Sequence, residues 1–198
     1  MKSALIGLVV IIVIAVAGFY AWRIFGPTPT LAPVVVADTQ STYTTSTYSV
    51  KYPSDFVLNA QYAYDLFGPN KLINGVKVTI PSAMATGTNL SADTYLSIEQ
   101  LPRAKKCTGD IYLTASVVAR TITEGGVDYS FASSTGAAAG NRYEEQVYAL
   151  ATSSPCTAVR YYIHSSGIEN FVEGAVQEFD KEALLTSFDK IRQSLVLQ

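Results

Sequence analysis

Apolar residues are distributed along the chain in three regimes, and each predicts a different element. From Ala4 to Ala21 they run without a charge, and Tyr20, Trp22, Arg23 and Phe25 cluster where the run ends. Eighteen residues at a 1.5 Å rise reach about 27 Å, close to a bilayer core, and amphipathic side chains are what a helix carries where it leaves lipid. This predicts one N-terminal transmembrane anchor within residues 1–26. Lys2 and Ala15-Val16-Ala17 also fit a secretory signal with a small-x-small cleavage site, so a cleaved segment is the alternative. No cysteine follows the run, which excludes a lipoprotein anchor of the bacterial kind.

Residues 27–44 break both periodicities. Pro27, Pro29 and Pro33 favour extended geometry, and the Thr- and Ser-rich run that follows reads as more linker, so the folded domain is placed at residues 45–198. Within it a period of two dominates. Tyr48, Val50 and Tyr52 alternate with polar neighbours; Phe56 to Leu58, Val76 to Ile80 and Tyr95 to Leu101 read as further strands, the last with Leu96 and Ile98 inward. Val117–Thr123 and Val127–Ser133 flank Glu124-Gly125-Gly126, a hairpin signal, and Asn141–Leu150 and Cys156–His164 flank Ser153-Ser154-Pro155. These strands predict an antiparallel sheet. The period then changes: Leu184, Phe188, Ile191 and Leu195 form one helical stripe, with Asp180 as its N-cap and a staple between Phe179 and Leu184.

Charge narrows the partners. Lys2 and Arg23 precede the linker and no acid does, so the rest of the chain holds 12 basic against 16 acidic residues. A net of −4 argues against nucleic acid, which needs a basic footprint. The one short basic group is Arg103, Lys105 and Lys106, read as a solvated loop. Cys107 and Cys156 lie in no metal-type spacing, and behind an export-type segment they predict a structural disulfide in an oxidising compartment; two free thiols in a cytosolic domain are the alternative.

The run Tyr48-Ser49-Val50-Lys51-Tyr52-Pro53 opens a mostly antiparallel domain that closes with Phe188-x-x-Ile191 and Leu195-Val196-Leu197. In this layout the chain resembles the PsbP/Mog1 group of folds. The resemblance implies an α+β fold, a central antiparallel sheet flanked by helices in an α/β/α sandwich. It also implies a non-enzymatic accessory protein that binds larger assemblies, and it brings no catalytic residues.

Candidate chemistry is sparse. His164 is the single histidine, followed by Ser165 and, five residues on, Glu169, but no nucleophile elbow exists, so a strand-end histidine satisfied by backbone is the simpler reading. Gly136-Ala137-Ala138-Ala139-Gly140 fits no phosphate fingerprint and reads as a flexible loop entering a strand, with Arg142, Tyr143 and Glu145 as polar contacts. Glu144 and Glu145 alternate across that strand, as do Tyr161 and Tyr162, so the two acids cannot form a catalytic pair. The chain has 13 tyrosines, and half-exposed ones supply interface area at low entropic cost. Candidate ligand or partner contacts are therefore Arg142, Tyr143, Glu145, Tyr162, His164 and Glu169, with no cofactor or metal implied. The functional expectation is a single-pass membrane protein whose domain lies in the periplasm or outside the cell. It would bind another envelope protein without catalysis. A hydrolase using His164 and a carbohydrate-binding module using exposed tyrosines are the alternatives.

Overall fold

The computed structural model describes residues 39–68, 70–113 and 116–198. The anchor expected at residues 4–21 and the proline-rich part of the linker lie outside the described residues. Among those described, no helix is long and apolar enough to cross a membrane.

Ten strands form two antiparallel sheets among the described residues. The smaller contains β1 (Gln40–Thr44), β2 (Tyr48–Pro53) and β10 (Val196–Leu197), in the order β1-β2-β10. The larger contains β3 (Val57–Tyr64), β4 (Ile73–Thr79), β5 (Tyr95–Leu101), β6 (Arg120–Glu124), β7 (Val127–Ala138), β8 (Asn141–Leu150) and β9 (Cys156–Ser166), in the order β3-β4-β5-β9-β8-β7-β6. A short helix α1 (Ser82–Ala85) follows β4, and α2 (Lys181–Gln193) precedes β10.

Two expectations are corrected here. Residues 40–44, read as linker, pair with β2 from Gln40 opposite Pro53 to Thr44 opposite Ser49, because Ser41 and Tyr43 alternate inward even in a Thr-rich run. The α/β/α sandwich with flanking helices is not the architecture. The seven-stranded sheet carries α2 and the small sheet on one face only, and the layout resemblance to the PsbP/Mog1 group therefore does not extend to the fold.

The face under α2 holds the main core. Val76, Val78, Leu96, Ile98, Val159 and Tyr161 from the sheet meet Leu184, Phe188 and Ile191 from α2 and Val50 from β2, all essentially without solvent contact. Each such aliphatic or aromatic side chain stabilises the fold by about 1.5–3 kcal/mol. The helix begins as the pattern predicts: an Asp180 carboxylate oxygen accepts from the Ala183 amide at 2.9 Å, and Phe179 and Leu184 join the same core. Removing that cap by Asp180→Ala is expected to cost about 1 kcal/mol, read as a lowered urea midpoint at unchanged slope.

Part of the opposite face is covered by residues 102–113, a segment irregular except for one 3-10 turn at Gly109–Tyr112. Tyr112 from this segment packs with Tyr64, Ile73, Leu101, Val147 and Ala158. Cys107 and Cys156 form a disulfide with Cα atoms 5.2 Å apart, which fastens the segment to the start of β9. The hairpin at Gly125-Gly126 has φ of 59° and 80°, the left-handed pair that a two-residue hairpin turn requires.

Candidate functional site: an aromatic row over a buried ion pair

Alternation along β9 sends Arg160, Tyr162 and His164 to the face away from α2 and Tyr161, Ile163 and Ser165 toward it. Register then assembles the neighbours. Tyr162 lies opposite Glu145 of β8 and Tyr95 of β5, His164 opposite Tyr143, and Arg160 opposite Val147 and Ser97. Four of the six candidate residues, Tyr143, Glu145, Tyr162 and His164, are thereby brought together.

Beyond the segment that carries Tyr112, this face bears an unbroken row of half-buried rings. Tyr62 to Tyr95 is 5.9 Å between centroids, Tyr95 to Tyr162 5.0 Å, Tyr162 to Tyr143 6.2 Å and Tyr143 to His164 4.7 Å. The second and fourth contacts are stacked, with ring planes 28° and 19° apart, and Lys77 Nζ sits 5.1 Å from the Tyr95 centroid. Burial first, and then the Asp93 carboxylate, push the Tyr162 phenol up to about 12, so the hydroxyl stays protonated at physiological pH.

The row rests on a buried charge cluster. Arg160, 1% exposed, donates to Tyr62 Oη at 2.7 Å, to Tyr95 Oη at 2.8 Å and to Glu145 Oε2 at 3.1 Å, and its guanidinium lies 4.7 Å from the Tyr64 ring centroid. Glu99, fully buried, is 3.8 Å from Arg160 Nη2. Desolvation raises the Glu99 carboxyl to about 7 against the pull of Arg160. The Ser97 and Tyr112 hydroxyls also favour its charged form, yet neither completes a hydrogen bond of normal geometry, and both Glu99 oxygens are left without one. Burial works against the Arg160 charge as well, but Glu99 and the surrounding tyrosines outweigh it and hold the guanidinium protonated. Gly75 makes room for this arrangement: a Cβ there would stand 2.4 Å from the Ile98 carbonyl and 3.0 Å from Glu99 Cγ.

His164 corrects one expectation. Its ring is oriented by a carboxylate and not by backbone: Nδ1 is 2.8 Å from Asp93 Oδ1, while Nε2 is buried and unpartnered. Among the described residues no nucleophile reaches that nitrogen, since Ser165 points to the other face and Glu169 is engaged elsewhere. Arg142 and Glu169 form an exposed ion pair, 3.2 Å apart, on the α2 side of the sheet. There they line a groove of about 850 Å³ between the β7–β8 hairpin and the start of α2, with Tyr143, Glu144, Glu178 and Lys181. The Glu169 carboxyl is lowered by its own backbone N–H and by Arg142. The groove wall also corrects the flexible-loop reading of residues 136–140, since β7 runs unbroken to Ala138 and turns into β8 through Ala139 and Gly140, with φ of 50° and 80°.

Sequence reasoning missed Tyr62, Lys77, Asp93, Tyr95, Glu99 and Arg160. The usable signal is a charge inside a strand pattern: Glu99 shares its phase with Tyr95 and Leu101, and Arg160 with Ala158 and Tyr162.

No protein-family model and no curated protein sequence matches the chain. Among solved structures it is similar to a Bacteroides thetaiotaomicron protein, with a TM-score of 0.41 and 11% identity over 76% of this chain. The chain spans 45% of that protein's length.

Proposed function

We propose that this chain is a non-enzymatic binding domain of the cell envelope, held outside the cytoplasm by its N-terminal apolar segment, and that it recognises a partner protein through the row Tyr62, Tyr95, Tyr162, Tyr143 and His164. The observation that carries this reading is the row itself. Five rings lie half exposed and in continuous contact on the part of this sheet face that residues 102–113 leave open among the described residues, and two of them, Tyr62 and Tyr95, are fixed from below by Arg160. Rigid tyrosines that present a hydroxyl edge over an apolar body are the side chains that dominate protein interfaces. The Cys107–Cys156 disulfide supports an oxidising compartment.

The two alternatives find less support. Pyranose rings stack on aromatic faces turned to solvent, whereas here the faces of Tyr95 with Tyr162, and of Tyr143 with His164, are spent on each other. Hydrolysis through His164 finds no nucleophile at Nε2 among the described residues.

The test places a photo-crosslinking amino acid at position 143 of the full chain in its native membrane, with position 118 as the control. A discrete adduct is expected from position 143 alone, and Tyr162→Ala, which removes the centre of the row, is expected to lower its yield about tenfold or more. Identical adducts from both positions, or an adduct indifferent to Tyr162→Ala, would count against the assignment.

A further inference from the structure

The basic trio that looks like an ordinary solvated loop in sequence has different company in three dimensions. Arg103 Nη2 donates to the Leu72 carbonyl at 3.4 Å, which joins the loop after β5 to the loop between β3 and β4. That second loop exposes three large apolar side chains within seven residues, Leu66 by 76%, Leu72 by 47% and Phe67 by 39%. Lys71 stands among them, and with Phe67, Leu72, Pro102, Arg103 and Ala104 it borders a shallow apolar hollow of about 780 Å³. Lys105 and Lys106 follow at once, both exposed.

Four cations therefore share these two joined loops with the exposed aliphatic and aromatic side chains, against only Asp65 and Asp110. None of the four has a carboxylate partner among the described residues, a state they share with Lys51, Lys77, Arg120 and Lys190; what sets the four apart is that they fall on two joined loops. The corner is thus positive on a domain that is net negative. An apolar tip set in unpaired lysines is the combination that binds an anionic bilayer: the aliphatic groups enter the boundary between headgroups and acyl chains while the cations meet the phosphates.

We infer that this corner, Leu66, Phe67 and Leu72 together with Lys71, Arg103, Lys105 and Lys106 of the same two loops, docks on an anionic membrane surface, so that the domain lies against the bilayer. This surface shares no residue with the tyrosine row, and it does not depend on how residues 4–21 behave.

The test uses the full chain with Trp22→Phe, so that an introduced indole reports alone, reconstituted into vesicles of brominated phosphatidylcholine with or without phosphatidylglycerol. In the anionic vesicles Leu66→Trp is expected to be quenched, whereas Val118→Trp, at a position 83% exposed, is expected not to be. Neutral vesicles are expected to quench neither. Adding Lys71→Glu, Lys105→Glu and Lys106→Glu to the Leu66→Trp chain spares the Arg103 contact. It is expected to weaken partitioning by at least about 100-fold, since each lysine near an anionic surface contributes about fivefold and each reversal adds repulsion. High salt should weaken it too. Absence of quenching at position 66 in anionic vesicles, equal quenching in neutral ones, or equal quenching at position 118 would each overturn the inference.

Discussion

Arg160→Ala is expected to destabilise the domain by about 3–5 kcal/mol, because it strands a buried acid as well as deleting a contact. Glu99 has no solvent to turn to, and Tyr62 and Tyr95 lose the donor that fixes their hydroxyls. The loss should depend on pH in a definite direction. In the folded protein the Glu99 carboxyl sits at about 7, above its ordinary 4.5, so folding takes up a proton between those values. Stability from this group is therefore highest below about pH 4.5 and falls as pH rises to about 7, by a total of about 3 kcal/mol. Without Arg160 the carboxyl rises further and the fall extends above pH 7. Urea unfolding at pH 5 and pH 8 reads this: the deficit of Arg160→Ala should be clearly larger at pH 8, and adding Glu99→Gln should remove the difference. A deficit equal at both pH values would sink the argument.

The same two residues show where sequence reading stops. Alternation is local, so the strands at Tyr48, Val76 and Tyr95 were legible, as were the Gly125-Gly126 hairpin and the split of Glu144 from Glu145 and of Tyr161 from Tyr162. So was α2, since its cap and its apolar stripe are contiguous. Register between distant strands is not local. β9 lies between β5 and β8, so Tyr95 meets Tyr162 across more than sixty residues of chain, and nothing in either strand announces the other. The long β7 was hidden by its turn, because Ala139 takes the left-handed position usually marked by Gly or Asn. The expected flanking helices failed for a related reason. Part of the second face is covered by residues 102–113, which have no period to detect, and they are fastened there by the packing of Tyr112 and by a covalent bond whose partner lies far along the chain. The aromatic site was thus half legible: Tyr143, Tyr162 and His164 stood out as residues, but the row they form, and the charge beneath it, are properties of strand order.

The second large effect follows from that covering segment. Replacing Cys107 and Cys156 by alanine is expected to cost about 4 kcal/mol, the entropy of freeing a closed loop of 49-residue separation in the chain-entropy model. Its consequence should reach past the loop. Tyr112, which the disulfide helps to hold over the sheet, shields Glu99 and stands 5.6 Å by its ring centroid from the Arg160 guanidinium. If the segment lifts, water reaches Glu99, desolvation ceases to be the dominant influence, and the carboxyl returns toward its ordinary range beside Arg160. The folded and unfolded values then coincide, and the fall in stability between about pH 4.5 and 7 should flatten. Arg160→Ala steepens the same profile, so the two variants are expected to move one titration in opposite directions. Unfolding of the double-alanine chain at pH 5 and pH 8, compared with the parent, measures it. If the slope were unchanged while stability dropped, the segment would be tethered by the disulfide without being what keeps Glu99 dry.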